Sequence, residues 1–218
     1  MKHFKNFGKV SKSAISIPDS EPDIFTADII DENNNRVDIK NTESFEQTLA
    51  YHHVKKDDIV LELGGRYGSV SYMINKKLSC KTNQVVVEPD ERVWNALERN
   101  KKVNECEFNI VKGFISSKKL GLTCLERFNG YGATFIENPD TQIPSFTLEE
   151  VKETYKLNFN VLIADCEGFL ETFFDENPTF YDGLRMIIFE ADHPYKCDYD
   201  KIRTELKQKG FVELLGGF

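Results

Sequence analysis

The sequence predicts an α/β domain: a doubly wound, mostly parallel Rossmann-like sheet with helices on both faces, preceded by an N-terminal β-hairpin. Three observations predict it. From Ile59 onward, short β-branched runs alternate with stretches whose apolar residues recur at helical spacing, as βα units over a buried parallel sheet do. The first run ends in an acid and a glycine-rich turn, Glu62-Leu63-Gly64-Gly65-Arg66-Tyr67-Gly68. The second ends in Glu88-Pro89, about 20 residues after those glycines, the spacing of a sugar-binding acid on such a sheet.

Taken in chain order, the N-terminus is basic at Lys2, Lys5, Lys9 and Lys12, but Asn, Ser and Gly interrupt it before an apolar signal core can form, so it reads as a mobile or docking arm. Phe25, Ala27 and Ile29 alternate with polar neighbours, Asp31 to Asn35 is polar, and Val37 and Ile39 resume the period of two, as a hairpin does. Arm and hairpin occupy 1–40 and the sheet domain 41–218. Ser44 with Gln47 resembles a capping box opening a short helix that ends near His53. The strands expected are Ile59–Leu63, Gln84–Val87, Phe108–Val111, Val161–Ala164 and Met186–Phe189. The helices are Ser69–Leu78, Glu91–Asn100, Leu148–Tyr155 and Tyr199–Lys209. Leu120 to Pro144 reads as an irregular insertion, and insertions there commonly shape a substrate mouth.

Composition narrows the class. A chain of 218 residues suits one such domain, and no apolar run approaches the ~20 residues of a membrane span. A net charge of −8 opposes a polyanion-binding surface, so nucleic acid is not an expected partner. The five cysteines, Cys80, Cys106, Cys124, Cys166 and Cys197, are odd in number and without a CxxC pair, which reads as free thiols in a reducing, cytoplasmic compartment.

The turn and the two acids carry the binding chemistry. Glycines at Gly64, Gly65 and Gly68 permit positive φ and close backbone approach, and the helix start at Ser69 presents unpaired N–H donors. Glu88 can accept both hydroxyls of a ribose, with Pro89 ending the strand. A dinucleotide shares these features, so a NAD(P)-dependent oxidoreductase and a non-catalytic Rossmann-like binding domain are competing readings. The pattern Gly64-Gly65-x-x-Gly68 preceded by Glu62 fits a methyltransferase turn better than GxGxxG, with Glu62 meeting the ammonium group of S-adenosylmethionine and Tyr67 placed to face ligand.

A third constellation is Asp165-Cys166-Glu167-Gly168 at the end of the fourth strand, followed by Ile187-Ile188-Phe189-Glu190 and Asp192-His193. With the glycine turn, Glu88-Pro89 and Thr147-Leu148-Glu149-Glu150-Val151, these segments resemble the FkbM family of class I S-adenosylmethionine-dependent methyltransferases over roughly residues 42 to 213. The resemblance implies methyl transfer to a hydroxyl of a sugar, a glycan or a glycosylated small molecule, and an adenine wall at Gly113, Phe114 and Ile115. Three departures stand out: Ile163 where the family often has lysine, Arg66-Tyr67 where it has a small residue, and a chain ending at Phe218 with little room for a final antiparallel strand. The missing edge is then supplied by the hairpin, or the chain is part of a longer multidomain polypeptide. The arm and hairpin are also candidate homodimer contacts.

A hydroxyl nucleophile needs a base or a cation that lowers its pKa. Asp165 and His193 are the leading base candidates, and Glu167 and Glu190 hold acceptor hydroxyls or position partners. A divalent cation, if required, is expected on Asp165, Glu190 and Asp192, since hard cations take carboxylate oxygens. A purely structural reading competes at Glu167-Gly168, where an acid beside a helix start is favoured by the helix dipole. His3, His52 and His53 are assigned to surface or packing roles.

Overall fold

A computed structural model describes residues 4–8, 24–123 and 131–216. In chain order the elements are β1 (Phe4–Gly8), α1 (Ser44–His53), β2 (Val60–Leu63), α2 (Ser69–Lys77), β3 (Gln84–Glu88), α3 (Trp94–Val103), β4 (Asn109–Lys112), β5 (Phe114–Ile115), β6 (Leu120–Thr123), β7 (Thr134–Glu137), β8 (Ser145–Phe146), α4 (Leu148–Tyr155), β9 (Val161–Ala164), α5 (Leu170–Glu176), α6 (Phe180–Gly183), β10 (Met186–Glu190), α7 (Tyr199–Gln208) and β11 (Val212–Gly216).

The central sheet has the order β11-β1-β10-β9-β2-β3-β4. The five strands from β10 to β4 are parallel, and β1 lies antiparallel to both β10 and β11. The architecture is thus a doubly wound, mostly parallel Rossmann-like sheet. Strands β2, β3, β9 and β10 are buried at every position because helices cover both faces. Leu61 and Leu63 of β2 face one core, shared with Phe173, Phe174 and Tyr181. Val60 faces the other, shared with Leu49, Met73 and Leu97. By strand alternation Glu62 shares the Val60 face. Chain order reverses between β2 and β9, and such a switch point opens a crevice at the carboxyl ends of the strands.

Several expectations are corrected. The 25–39 segment turns back where expected but pairs only briefly: one antiparallel bridge joins Ile30 and Arg36, flanked by hydrogen bonds from Asp31 N–H to Asn35 carbonyl and from Val37 N–H to Ile29 carbonyl, both at 2.9 Å. Asparagines of α3 hold its outer edge. Asn100 accepts from Ile30 N–H at 3.1 Å and donates to Ile30 carbonyl at 2.9 Å, and Asn104 accepts from Asp28 N–H at 2.8 Å. Side-chain amides thereby satisfy the backbone groups of Asp28 and Ile30 that point away from the Val37 side of the turn. The edge does not come from this segment either. Residues 4–8 of the basic arm and 212–216 at the C-terminus form β1 and β11, so there is room for a last strand after all, and β11 runs parallel to β10 with β1 between them. The rest of the arm, including Lys2, Lys9 and Lys12, lies outside the described residues.

Helix α1 starts with Glu43 as its N-cap in the left-handed region and no side-chain cap, so the box read at Ser44 and Gln47 does not form. Gln47 donates instead to the carbonyls of Ile39 and Thr42. A true capping box sits at Thr147 and Glu150 before α4. Helix α3 begins at Trp94 rather than Glu91, because Asp90 accepts from Arg92 N–H at 3.1 Å through its side chain and from Val93 N–H at 3.1 Å through its carbonyl, a local turn that delays the helix. The 120–144 insertion contains the antiparallel pair β6 and β7. Helix α5 begins just after Glu167-Gly168, as the structural reading of that pair has it, but neither its extent nor α6 was anticipated. At seven and four residues they are too short to display a helical period.

Candidate active site

A cavity enclosing about 780 Å³ of space between atoms, its open mouth included, lies at the carboxyl ends of β2, β3, β4 and β9. One wall is Gly64 and Arg66, the next is Glu88, Pro89 and Asp90, and the third is Gly113, Phe114 and Ile115. The fourth is Asp165, Cys166, Glu167 and Phe169, and the 120–144 insertion contributes Leu122, Tyr131, Ala133 and Phe135. Phe169 packs edge-on to Phe135 at 5.1 Å and tilted against Phe114 at 5.9 Å, so the floor is apolar.

The turn after β2 is held by its neighbours. Gly64 and Gly65 both donate N–H groups to Val87 carbonyl, at 3.0 and 3.1 Å. Gly64 adopts φ +90°, and a Cβ there would lie 1.7 Å from Asp165 carbonyl oxygen. A Cβ on Gly65 would meet Val86 at 2.2 Å, and one on Gly68 would meet Leu97 at 3.0 Å. These glycines let β2, β3 and β9 approach one another. Glu88 is buried at the end of β3, accepting from Arg66 N–H at 2.6 Å on one oxygen and from Asp90 N–H at 2.7 Å on the other. Each oxygen keeps acceptor capacity. Burial raises its pKa to about 7, and the two N–H groups oppose that rise.

Acids crowd the ends of β9 and β10. Carboxylate oxygens of Asp165, Glu190 and Asp192 lie within 4.8 Å of one another, as do those of Asp165, Glu43 and Glu46. Glu167, in the left-handed region at φ 51°, meets His193 Nε2. His193 Nδ1 meets Tyr195 hydroxyl at 2.6 Å, and Tyr199 hydroxyl donates to Asp192 at 2.9 Å. Burial, then Asp192 and Asp165, hold the Glu167 carboxyl well above the usual carboxylate range. Its contact with His193 Nε2 sets a carboxyl and an imidazole within direct hydrogen-bond reach at the cavity rim.

Of the sequence-predicted cofactor residues, Gly64, Glu88, Pro89, Gly113, Phe114, Ile115 and Asp165 line the cavity. Gly65, Gly68, Ser69, Tyr67 and Glu62 do not. Tyr67 is buried against Val93 and Ala96, and its hydroxyl donates to Glu32. Ser69 hydroxyl donates to Glu43. The reading of Glu62 as the partner of an ammonium group is overturned: it faces the opposite side of β2, where Ser71 hydroxyl donates to one oxygen at 2.8 Å and Gln84 amide to the other at 2.9 Å. Of the predicted acid–base residues, Asp165 and Glu167 line the cavity, His193 joins through Glu167, and Glu190 through Asp165. Sequence reasoning missed Glu43, Arg66 as a cavity residue, and the aromatic lining from the insertion. No local motif marks a residue delivered from a distant loop, although the oddity of Arg66 in the glycine turn was a signal. Cys80, Cys106, Cys166 and Cys197 are free thiols, and Cys124 lies outside the described residues.

Burial raises Glu62 from an ordinary 4.5 to about 8, so in the folded state it holds a proton that the unfolded chain releases. Its contribution to stability is fully present below pH 4.5 and is lost as pH rises toward 8. The melting temperature of the parent protein should accordingly fall between pH 6 and pH 9, and that of Glu62→Gln should fall less, with Glu88 supplying the remainder. Identical slopes for the two proteins would show that Glu62 does not titrate in this range.

Comparison with known proteins adds little to the geometry. No protein-family model matches the chain, and no curated protein matches it. Solved structures do. One, described as an O-methyltransferase from Klebsiella pneumoniae, matches at a TM-score of 0.36 and 11% identity over 65% of this chain and 51% of that one. A dimethyladenosine transferase from Plasmodium falciparum matches at 0.32 and 13% over 57% and 32%. A protein described as a transferase from Pyrococcus horikoshii matches at 0.30 and 18% over 35% and 31%. The matches thus span between about a third and a half of those chains, and scores this low carry no argument about activity. Among the described residues no helix is long and apolar enough to cross a membrane.

Proposed function

We propose that this protein is an S-adenosylmethionine-dependent O-methyltransferase, related to the FkbM family, that acts on a hydroxyl of a sugar or glycan. The observation that carries the reading is the placement of Glu88 and Asp165 on opposite sides of one cavity at the switch point, with apolar Phe114 and Ile115 beside Glu88. The residues present fit the cofactor. Glu88 has acceptor capacity on both oxygens for two ribose hydroxyls, and Phe114 and Ile115 offer an adenine a dry wall. With Glu62 engaged elsewhere, Glu43 beside Gly64 is the acid that meets the ammonium group. When bound, the cofactor supplies a methyl group activated by its sulfonium.

The chain's own residues then align the acceptor and take its proton. Alignment alone is worth several kcal/mol in such displacements. Asp165 accepts the hydroxyl proton. Glu167 and His193, linked to Tyr195 and Asp192, orient the acceptor through hydrogen bonds at the rim. Asp165, Glu190 and Asp192 also suit a hard divalent cation, which would lower the pKa of a bound hydroxyl.

Thermal-shift measurements separate this reading from a nicotinamide enzyme on the same sheet. S-adenosylhomocysteine should raise the melting temperature in a concentration-dependent way, since a ligand that binds only the folded state stabilises it by mass action. Stabilisation by NAD(H) and not by S-adenosylhomocysteine would replace the assignment with an oxidoreductase.

A further inference from the structure

Arg66 is the third residue of the glycine turn, yet it holds φ +39°, in the region that favours glycine. A non-glycine residue there costs about 1 kcal/mol, and a glycine would remove that cost. What the turn keeps is therefore the side chain. It is only 11% exposed and lines the cavity beside Glu88, Asp90 and Tyr131. Its backbone N–H donates to Glu88 at 2.6 Å, and its guanidinium reaches Asp90 at 3.9 Å and donates to Tyr67 hydroxyl at 3.1 Å. The guanidinium carbon lies 4.0 Å from the centroid of the Tyr131 ring and 4.7 Å from that of Tyr67. One residue thus touches the ribose acid through its backbone, balances the two acids of the β3 end through its charge, and grips an aromatic ring of the insertion by cation–π contact.

We propose that Arg66 is a positioning residue for the cofactor: it holds the Glu88 carboxylate as a fixed, charged acceptor for the ribose hydroxyls and pins Tyr131 across the cavity beside it. The inference rests on the cofactor reading above. The other groups that bear on Glu88 leave this task to Arg66. Asp90 is an acid, already paired with Arg92 at 2.6 Å. Lys112, in register with Glu88 on β4, pairs with Glu98 at 3.2 Å. Glu62, which burial keeps protonated on the other face of β2, and Glu43, a further acid on the cavity wall, supply no cation. Burial and the charge of the Asp90 carboxylate favour the protonated form of Glu88, while the N–H groups of Asp90 and Arg66 and the Arg66 charge oppose them.

The test follows the Glu88 side-chain carboxyl by carbon-13 NMR between pH 5.5 and 9, assigned with Glu88→Gln, alongside calorimetric affinity for S-adenosylhomocysteine. The proteins compared are the parent, Arg66→Gly and Arg66→Lys. Glycine suits the turn, so that variant keeps the backbone. Its Glu88 midpoint should move up by about one pH unit, and its affinity at pH 7 should fall about fivefold and recover as pH rises. Lysine should retain the parent midpoint. Arg66→Gly titrating at the parent midpoint while S-adenosylhomocysteine binds normally would overturn this proposal alone. If the parent binds no S-adenosylhomocysteine at any pH, the cofactor reading fails, and the role of Arg66 as a cofactor device fails with it.

Discussion

Asp165→Asn should lose about 10³-fold in methyl transfer while binding S-adenosylhomocysteine within about threefold of the parent, the scale expected when a positioned general base is removed and the shape of the site is kept. The backbone of Asp165 is fixed at the end of β9 by its N–H bond to Leu63 carbonyl at 3.0 Å, and the residue lines the cavity between the Glu43 side and the β10 side of the acidic cluster. Asparagine fills the same volume and keeps one acceptor oxygen, but it cannot take a proton. Glu167 is not free to substitute, because its carboxyl is engaged by His193 Nε2. Retained turnover in Asp165→Asn would transfer the role to His193, and His193→Asn would then carry the loss. Single-turnover assays and calorimetry on the two variants separate these outcomes.

Gly64→Ala should abolish soluble folded protein. At φ +90° an added Cβ would sit 1.7 Å from Asp165 carbonyl oxygen and 2.8 Å from its carbonyl carbon, both backbone atoms of the neighbouring central strand segment. Relief requires β2 and β9 to separate at the middle of the sheet. The loss should exceed about 4 kcal/mol, a large part of the 5–15 kcal/mol that holds a typical domain. Gly210→Ala is the control, because Gly210 has φ +83° but nothing within 4 Å of an added Cβ. It isolates the cost of the dihedral, about 1 kcal/mol, from the cost of the clash. A Gly64→Ala protein that folds with a melting temperature like that of Gly210→Ala would mean the strand ends are not packed as described.

The central strands were readable because burial on both faces leaves an unbroken mark: Val60–Leu63, Gln84–Glu88 and Met186–Glu190 each lie within a residue of the run expected from β-branched content alone. The cavity-lining acids Glu88 and Asp165 were readable for the same reason, since they terminate those runs at the end where a switch-point crevice opens. Glu62 ends a run too, but a strand points alternate residues to opposite faces, and the parity that puts Leu61 and Leu63 toward one core turns Glu62 to the other. Sequence alone does not say which parity meets the cavity. The edge was misjudged because β1 and β11 are joined by non-local pairing at the two chain ends, which leaves no pattern in either segment. Tyr131 and Phe135 were unreadable as lining residues, because their place depends on how the insertion folds back over the sheet.

The most direct test of the account is a crystal structure of the protein soaked with S-adenosylhomocysteine. The account predicts ribose hydroxyls on Glu88, adenine against Phe114 and Ile115, the amino group near Glu43, and the sulfur directed toward Asp165. Density for the ligand elsewhere, or a cavity that stays filled by Arg66 and Tyr131 at saturating ligand, would contradict it.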